Sequence, residues 1–397
     1  MDGSNEKEAE LKPGQVIKPQ MNENVAKNMV RILFGMEVTS IKEMASYDDR
    51  NYYVKVKEDH NNNNIEKIWP HGYTLKVTNS MESVKAHIDA EHGMQRLLHS
   101  NDIPCPLPVL NVQGTDRTLQ VIYTPQSKEE GWMKTPSEGG DRPFNRHTVR
   151  LLTFIPGETL FNVPYTPHLF HSAGVMLGRI NKLFKDTNFN HAAFDDYTSL
   201  WNLASTPQLS KFVYAVTDPD NHALIEEVLT AFEAQVPPHY DKLTKGTIHG
   251  DYNEQNLLVT PSSLKPDTPV KEYDVCGVLD FQDAAFSYFV FDVAIGICYL
   301  MIECQNVDPL DVGGHFLAGY LSEMSLNESE FEVLKICVAS RFAQSLVMGA
   351  YSYSLDPGNE YLLVTQENGW KKLKILWPVS QDALYTRWKN IIDSYKK

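Results

Sequence analysis

The sequence predicts an α+β chain in two lobes, a small N-terminal antiparallel sheet with one helix followed by a larger, mainly helical C-terminal lobe. Three observations carry this. The chain has 397 residues, past the roughly 250–300 at which a single hydrophobic core stops growing. Its first 155 residues hold short β-rich runs separated by polar turns. Beyond Pro156-Gly157 apolar residues recur mostly at three- and four-residue spacings. The expected boundaries are a disordered tail over 1–20, an N-terminal lobe over 21–155 and a C-terminal lobe over 156–397.

Residues 1–20 mix charges with Pro13, Gly14 and Pro19 and show no periodicity, hence the tail. From Glu23, Val25, Met29, Ile32 and Leu33 repeat at helical spacing and stop at Gly35. Val38–Met44, Tyr52–Val56 and Tyr73–Val77 read as strands, divided by the acidic turn around Asp48-Asp49 and the polar tip His60 to Asn64. Residues 84–99 are helical in pattern, and Val109–Val112 and Thr118–Tyr123 are further strands. Pro125 to His147 reads as a long loop, and Thr148–Ile155 as a strand ended by Pro156-Gly157. Helices are expected over 167–185, 196–214, 221–235, 289–304, 312–323, 328–353 and 379–395, with short strands near 257–259 and 275–279.

Composition narrows the partners. Apolar residues make up 42% and charged residues 22%, ordinary globular values. Thirty-six basic against 51 acidic residues leave a net charge of −15, which repels nucleic acid and anionic lipid. The most apolar run, Tyr288 to Ile302, is interrupted by Asp292, so no membrane span is expected. The odd number of cysteines, five, shows no CxxC pair, and the polar N-terminus has no apolar core for a signal peptide. Buried thiols, a reducing compartment and a cytoplasmic address follow.

The most informative segment is His249-Gly250-Asp251-Tyr252-Asn253-Glu254-Gln255-Asn256, leading into the apolar run Leu257-Leu258-Val259. A carboxylate five positions before an amide can orient an incoming hydroxyl while the amide oxygen holds a metal. A turn in which Asp251 and Asn256 only cap backbone amides is the alternative. Val278-Leu279-Asp280-Phe281 then sets an acid after an apolar strand, a rigid mount for a residue that grips magnesium between phosphates. Lys76, inside the strand Tyr73–Val77, can reach nucleotide phosphates as a fixed charge. Glu91 on the next helix is the best-placed acid to hold it, with Asp89 and Glu82 as alternatives.

Together these segments resemble the protein-kinase-like bilobal fold and, more closely, the aminoglycoside phosphotransferase and choline kinase family, which has His-Gly-Asp in its catalytic loop. The resemblance spans roughly residues 24–390. Ser46-Tyr47-Asp48-Asp49-Arg50-Asn51, Val149–Gly157, Val312-Gly313-Gly314-His315 and Ser340–Met348 further resemble the hydroxylysine kinase branch of that family. The resemblance implies a magnesium-dependent transfer of the γ-phosphoryl group of GTP, or of ATP, to the side-chain hydroxyl of free 5-hydroxylysine. Asp251 would act on the hydroxyl, Asn256 and Asp280 would bind Mg2+, and Lys76 with Glu91, Ser46 and Asn51 would hold the nucleotide. An acceptor with two ammonium groups and a carboxylate calls for acids and an arginine, for which Asp283 and Arg341 are the candidates. Arg341 can equally pair with an internal acid.

Departures from the pattern are specific. The first loop has no G-x-G-x-x-G, and Gln282 stands where protein kinases have a glycine. Asp292, in Phe291-Asp292-Val293, is expected to brace the catalytic loop, and His249 to fix it by hydrogen bonds. A choline- or aminoglycoside-type kinase using ATP is the rival enzyme. A non-catalytic nucleotide-binding protein is the rival class, although Lys76, Asp251, Asn256 and Asp280 are all present.

Overall fold

The computed structural model describes residues 17–44, 46, 48–81, 86–123, 144–195, 199–263, 271–355 and 366–396. It divides into two compact units, the first running to Ser100 and over Cys105–Pro156, the second comprising Asn101–Pro104 and everything from Gly157 onward.

The first unit begins with helix α1, Glu23–Phe34, capped by the Asn22 side chain on the Val25 N–H and ended by Gly35 in the left-handed conformation. Strands β1 (Met36–Met44), β2 (Arg50–His60), β3 (Tyr73–Val77), β4 (Pro108–Val109), β5 (Thr118–Tyr123) and β6 (Phe144–Thr153) follow, with helix α2 (His87–His99) between β3 and β4. The antiparallel sheet runs β1-β2-β3-β6-β4, with β5 also paired to β6. Met29, Val30 and Phe34 of α1 pack against Tyr52, Val54, Leu75, Val77, Val149 and Leu151, so one sheet face makes the core of this unit.

Two sequence expectations change here. Residues 17–20 are not tail: the Ser80 N–H donates to Ile17 O at 3.1 Å and Arg50 Nε to Pro19 O at 3.2 Å. Ile17 is buried, and averaging over a charged stretch hid it. Strand β6 starts at Phe144, because Asn145, Arg146 and His147 pair with Ile122, Val121 and Gln120. Their polarity disguised them as loop. The rest of the expected loop, residues 124–143, lies outside the described residues, as does residue 82.

The second unit opens with strand β7 (Glu158–Thr159) and helices α3 (Pro167–Asp186), α4 (Ala192–Asp195) and α5 (Pro219–Gln235). Of the helix expected over 196–214, residues 196–198 lie outside the described residues, and the remainder holds 3-10 turns over Leu203–Lys211 and Val213–Ala215. Pro207 lacks the N–H that an α-helix interior needs. Strands β8 (Lys245–Ile248), β9 (Leu257–Pro261), β10 (Tyr273–Val278) and β11 (Ala285–Tyr288) then form two small sheets, β10-β9-β7 and β11-β8. Helices α6 (Phe289–Glu303), α7 (Pro309–Glu323), α8 (Glu328–Leu355), α9 (Gln366–Leu376) and α10 (Gln381–Ser394) complete it. Helix α8 is long and apolar enough to cross a membrane, but 89% of its most apolar window is buried inside the protein, which is the environment of a core helix.

Candidate active site

In the first unit, register decides which side chains share a face. Asn51 on β2 stands opposite Lys76 on β3, and Lys76 opposite Arg150 on β6. Directly opposed residues point to the same side, so Lys76 and Arg150 lie side by side while Tyr52, Leu75 and Leu151 fill the core. Two cations so placed repel unless each meets an acid. Lys76, only 7% exposed, has its Nζ 3.4 Å from Asp49 Oδ2. Arg150 donates to Glu91 Oε2 at 2.6 Å, both groups buried.

The leading candidate for holding Lys76 thus differs, while the alternative Glu82 lies outside the described residues. Glu91 is taken by Arg150, whose planar guanidinium suits a carboxylate better than an ammonium does, and Asp89 is bonded to Arg117. Asp49 was not singled out from the sequence, because nothing local reveals that the turn before β2 reaches β3. It is firmly placed: its Oδ1 accepts from the Asn79 N–H at 2.8 Å and Asn79 Nδ2 at 3.1 Å. The Ser46 hydroxyl donates to Asp49 O and so shapes this same turn. Asn51 has a buried amide oxygen with no hydrogen-bond partner among the described residues.

In the second unit the His249–Asn256 loop joins β8 to β9 and is held from beneath by Asp292, in the first turn of α6. The His249 and Gly250 N–H groups donate to Asp292 Oδ2 and Oδ1, each at 2.9 Å. Complete burial pushes the Asp292 carboxyl above its ordinary range, against the opposing pull of His249 and the two amides. His249 accepts from the Asp251 N–H at Nδ1 (3.2 Å) and lies 2.9 Å from Leu279 O at Nε2, which fixes its Nε2–H tautomer and ties the loop to the strand end carrying Asp280. Gly250 sits at φ +81°, and a Cβ there would lie 2.1 Å from Asp283 O, so only glycine fits. The β8–β11 pairing, Ile248 to Ala285, brings Asp283 to this position.

Asp251 is oriented at both oxygens. Oδ2 accepts from Asn253 Nδ2 and Asn256 Nδ2, each at 2.9 Å, and Oδ1 from Arg341 at 2.9 Å. Asn256 also donates to Asp251 O at 2.9 Å. Both amide hydrogens of Asn256 are therefore spent on Asp251, which leaves its amide oxygen for a cation. Asp280 is exposed and adopts φ +52°, a conformation rare for a non-glycine residue and one that recurs at functional sites. Two oxygens of this kind fit magnesium, which takes one or two protein ligands and completes its shell with phosphates and water. Among the described residues no group of three or more His, Cys, Asp or Glu could hold a metal.

Arg341, on α8, meets the internal acid rather than standing free for a carboxylate. It is 1% exposed, donates also to Trp201 O at 2.8 Å, and lies over the Trp201 and Tyr299 rings at 5.1 and 5.2 Å. Burial would lower its pKa, but Tyr299, Asp251 and Asp283 outweigh that and raise it. Trp201 is half-buried and forms one wall around the guanidinium. Glu254, on the same loop, is 5% exposed with one carboxylate oxygen unpartnered among the described residues, and burial pushes its pKa up to about 8.

Residues 41–322 match the model of the phosphotransferase enzyme family. A hydroxylysine kinase of Xenopus laevis is 35% identical over 95% of this chain and 96% of its own length, and one of Bos taurus 31% over 96% and 95%. Among solved structures, amicoumacin kinase in complex with AMP-PNP, Ca2+ and Ami has a TM-score of 0.63 at 16% identity, covering 92% of this chain and 98% of that one. That likeness shows a shared fold.

Proposed function

The chain belongs to the phosphotransferase enzyme family, and from that premise we propose that it is a kinase that transfers the γ-phosphoryl group of GTP, or of ATP, to the side-chain hydroxyl of 5-hydroxy-L-lysine. The observation that carries the substrate is the alignment with hydroxylysine kinases over nearly the whole of both chains. The chemistry rests on Asp251, a carboxylate oriented at both oxygens and therefore ready to act without reorganisation.

Asp251 accepts a hydrogen bond from the acceptor hydroxyl and takes its proton as the oxygen bonds to the γ-phosphorus and the bond to the β–γ bridging oxygen breaks. Asn253 and Asn256 on one oxygen and Arg341 on the other together keep the carboxylate from rotating. Lys76, steadied by Asp49, positions the α- and β-phosphates, with Asn51 and the Ser46 turn beside it. Asn256 and Asp280 would hold magnesium, which when bound neutralises charge between the phosphates. Asp283 offers a carboxylate toward an acceptor ammonium. All five cysteines are free thiols and four are buried, which supports a reducing compartment such as the cytoplasm.

A coupled assay of GTP and ATP against hydroxylysine, lysine, choline and ethanolamine tests the proposal. Turnover with hydroxylysine and none with lysine is expected. Turnover with choline or ethanolamine but not hydroxylysine would assign a different amine kinase.

A further inference from the structure

Counting lone pairs around Asp251 singles out one oxygen. A carboxylate oxygen accepts two hydrogen bonds, and Oδ2 already accepts two, from Asn253 and Asn256. Oδ1 accepts one, from Arg341, and keeps a lone pair. The acceptor hydroxyl must therefore meet Oδ1, the oxygen whose direction Arg341 sets.

Arg341 is built for that task and poorly placed for any other. Its guanidinium is buried, lies over the rings of both Trp201 and Tyr299 and is bonded to Trp201 O. One helical turn on, Gln344 donates to Leu200 O and Asn202 O at 2.9 and 3.0 Å, so α8 pins the backbone that carries Trp201. A guanidinium this enclosed cannot swing out to grip a ligand carboxylate with its fork, whereas its fixed charge lies against the one oxygen that has capacity left.

We infer that Arg341 is a positioning residue that holds Asp251 Oδ1 as the proton-accepting oxygen, and that it does not read the acceptor's carboxylate. This rests on the reading of Asp251 as the base. Removing the guanidinium frees the carboxylate to turn about its remaining bonds to Asn253 and Asn256, and a lysine, a single flexible point charge, cannot both stack on the rings and span Trp201 O and Asp251.

The test is a double-mutant cycle with two acceptors, hydroxylysine and its decarboxylated analogue, a hydroxylated diamine. Arg341→Met is expected to lower turnover about tenfold to a hundredfold on both acceptors alike, with the nucleotide KM unchanged, and to cost nothing further in an Asp251→Asn background. Arg341→Lys should recover only part of the loss, and it carries the same comparisons if the methionine variant does not fold. A rise in KM confined to hydroxylysine would overturn the inference, because it would mean that Arg341 reads the carboxylate. A full additional loss in the Asp251→Asn background would overturn it too. Failure of the underlying reading shows separately, as near-normal turnover of Asp251→Asn alone.

Discussion

Replacing Asp292 by asparagine isolates what holds the catalytic loop in place. Asp292 receives the His249 and Gly250 N–H groups on its two oxygens, each at 2.9 Å, in full burial. Asparagine keeps one acceptor and turns an N–H2 toward the other amide, so one charge-assisted bond of ~1.5–3 kcal/mol is lost and a buried N–H is left unsatisfied at a further ~1–3 kcal/mol. Part of this is regained, because burial disfavours the charged carboxylate, whose pKa is already raised. A net loss of about 2–4 kcal/mol follows. At roughly 2–4 °C per kcal/mol for a unit of this size, Tm should fall by about 5–15 °C. Displacement of His249 and Gly250 moves Asp251, so kcat should fall by more than the unfolded fraction explains, while nucleotide affinity holds. Urea unfolding, a thermal scan and steady-state kinetics on one preparation measure all three. A variant with Tm within a degree or two of the parent and unchanged kcat would refute the idea that this carboxylate orders the loop.

Other outcomes are as definite. Asp280→Asn should weaken magnesium-dependent nucleotide binding at least about tenfold and leave metal-free binding alone, by calorimetry with and without magnesium; equal affinities in magnesium would remove Asp280 from the metal site. Lys76→Met should slow turnover by about tenfold or more and also cost some stability, since it leaves the buried Asp49 without its cation. A Lys76→Met enzyme of normal rate but lower Tm would make the lysine structural. Glu254 has a folded pKa near 8 against about 4.3 for an unfolded glutamate, so the folded protein holds the extra proton and stability falls as pH rises between those values. Glu254→Gln, neutral throughout, should flatten that decline in urea unfolding across the range, and an unaltered slope would mean that Glu254 is not protonated in the fold.

What the sequence revealed depended on how local the constraint is. Asp251 and Asn256 are bonded to each other within one loop, so their spacing was visible, and Asp292 stood out as a lone acid in an apolar run. Arg341 lies 90 positions from Asp251, and a lone arginine on an apolar helix looks the same whether it meets a ligand or an internal acid. Only packing chooses. Glu91 shows the same limit, since the sequence placed an acid near Lys76 without showing that Arg150 stands opposite on β6. Strands β7, β8 and β11 span only two to four residues, too few for alternation to register, although β8 and β11 frame the catalytic loop.

Asp251, acting as base, directs phosphorylation to the hydroxylysine side chain in the proposed reaction. Phosphorus NMR of the reaction of GTP, magnesium and 5-hydroxy-L-lysine tests it most directly. A new phosphomonoester whose phosphorus couples to the proton on the hydroxyl-bearing carbon is expected, formed at least about a hundredfold more slowly by Asp251→Asn. A nucleotide consumed only to free phosphate, an ester that does not couple to that proton, or equal rates from the two enzymes would contradict it.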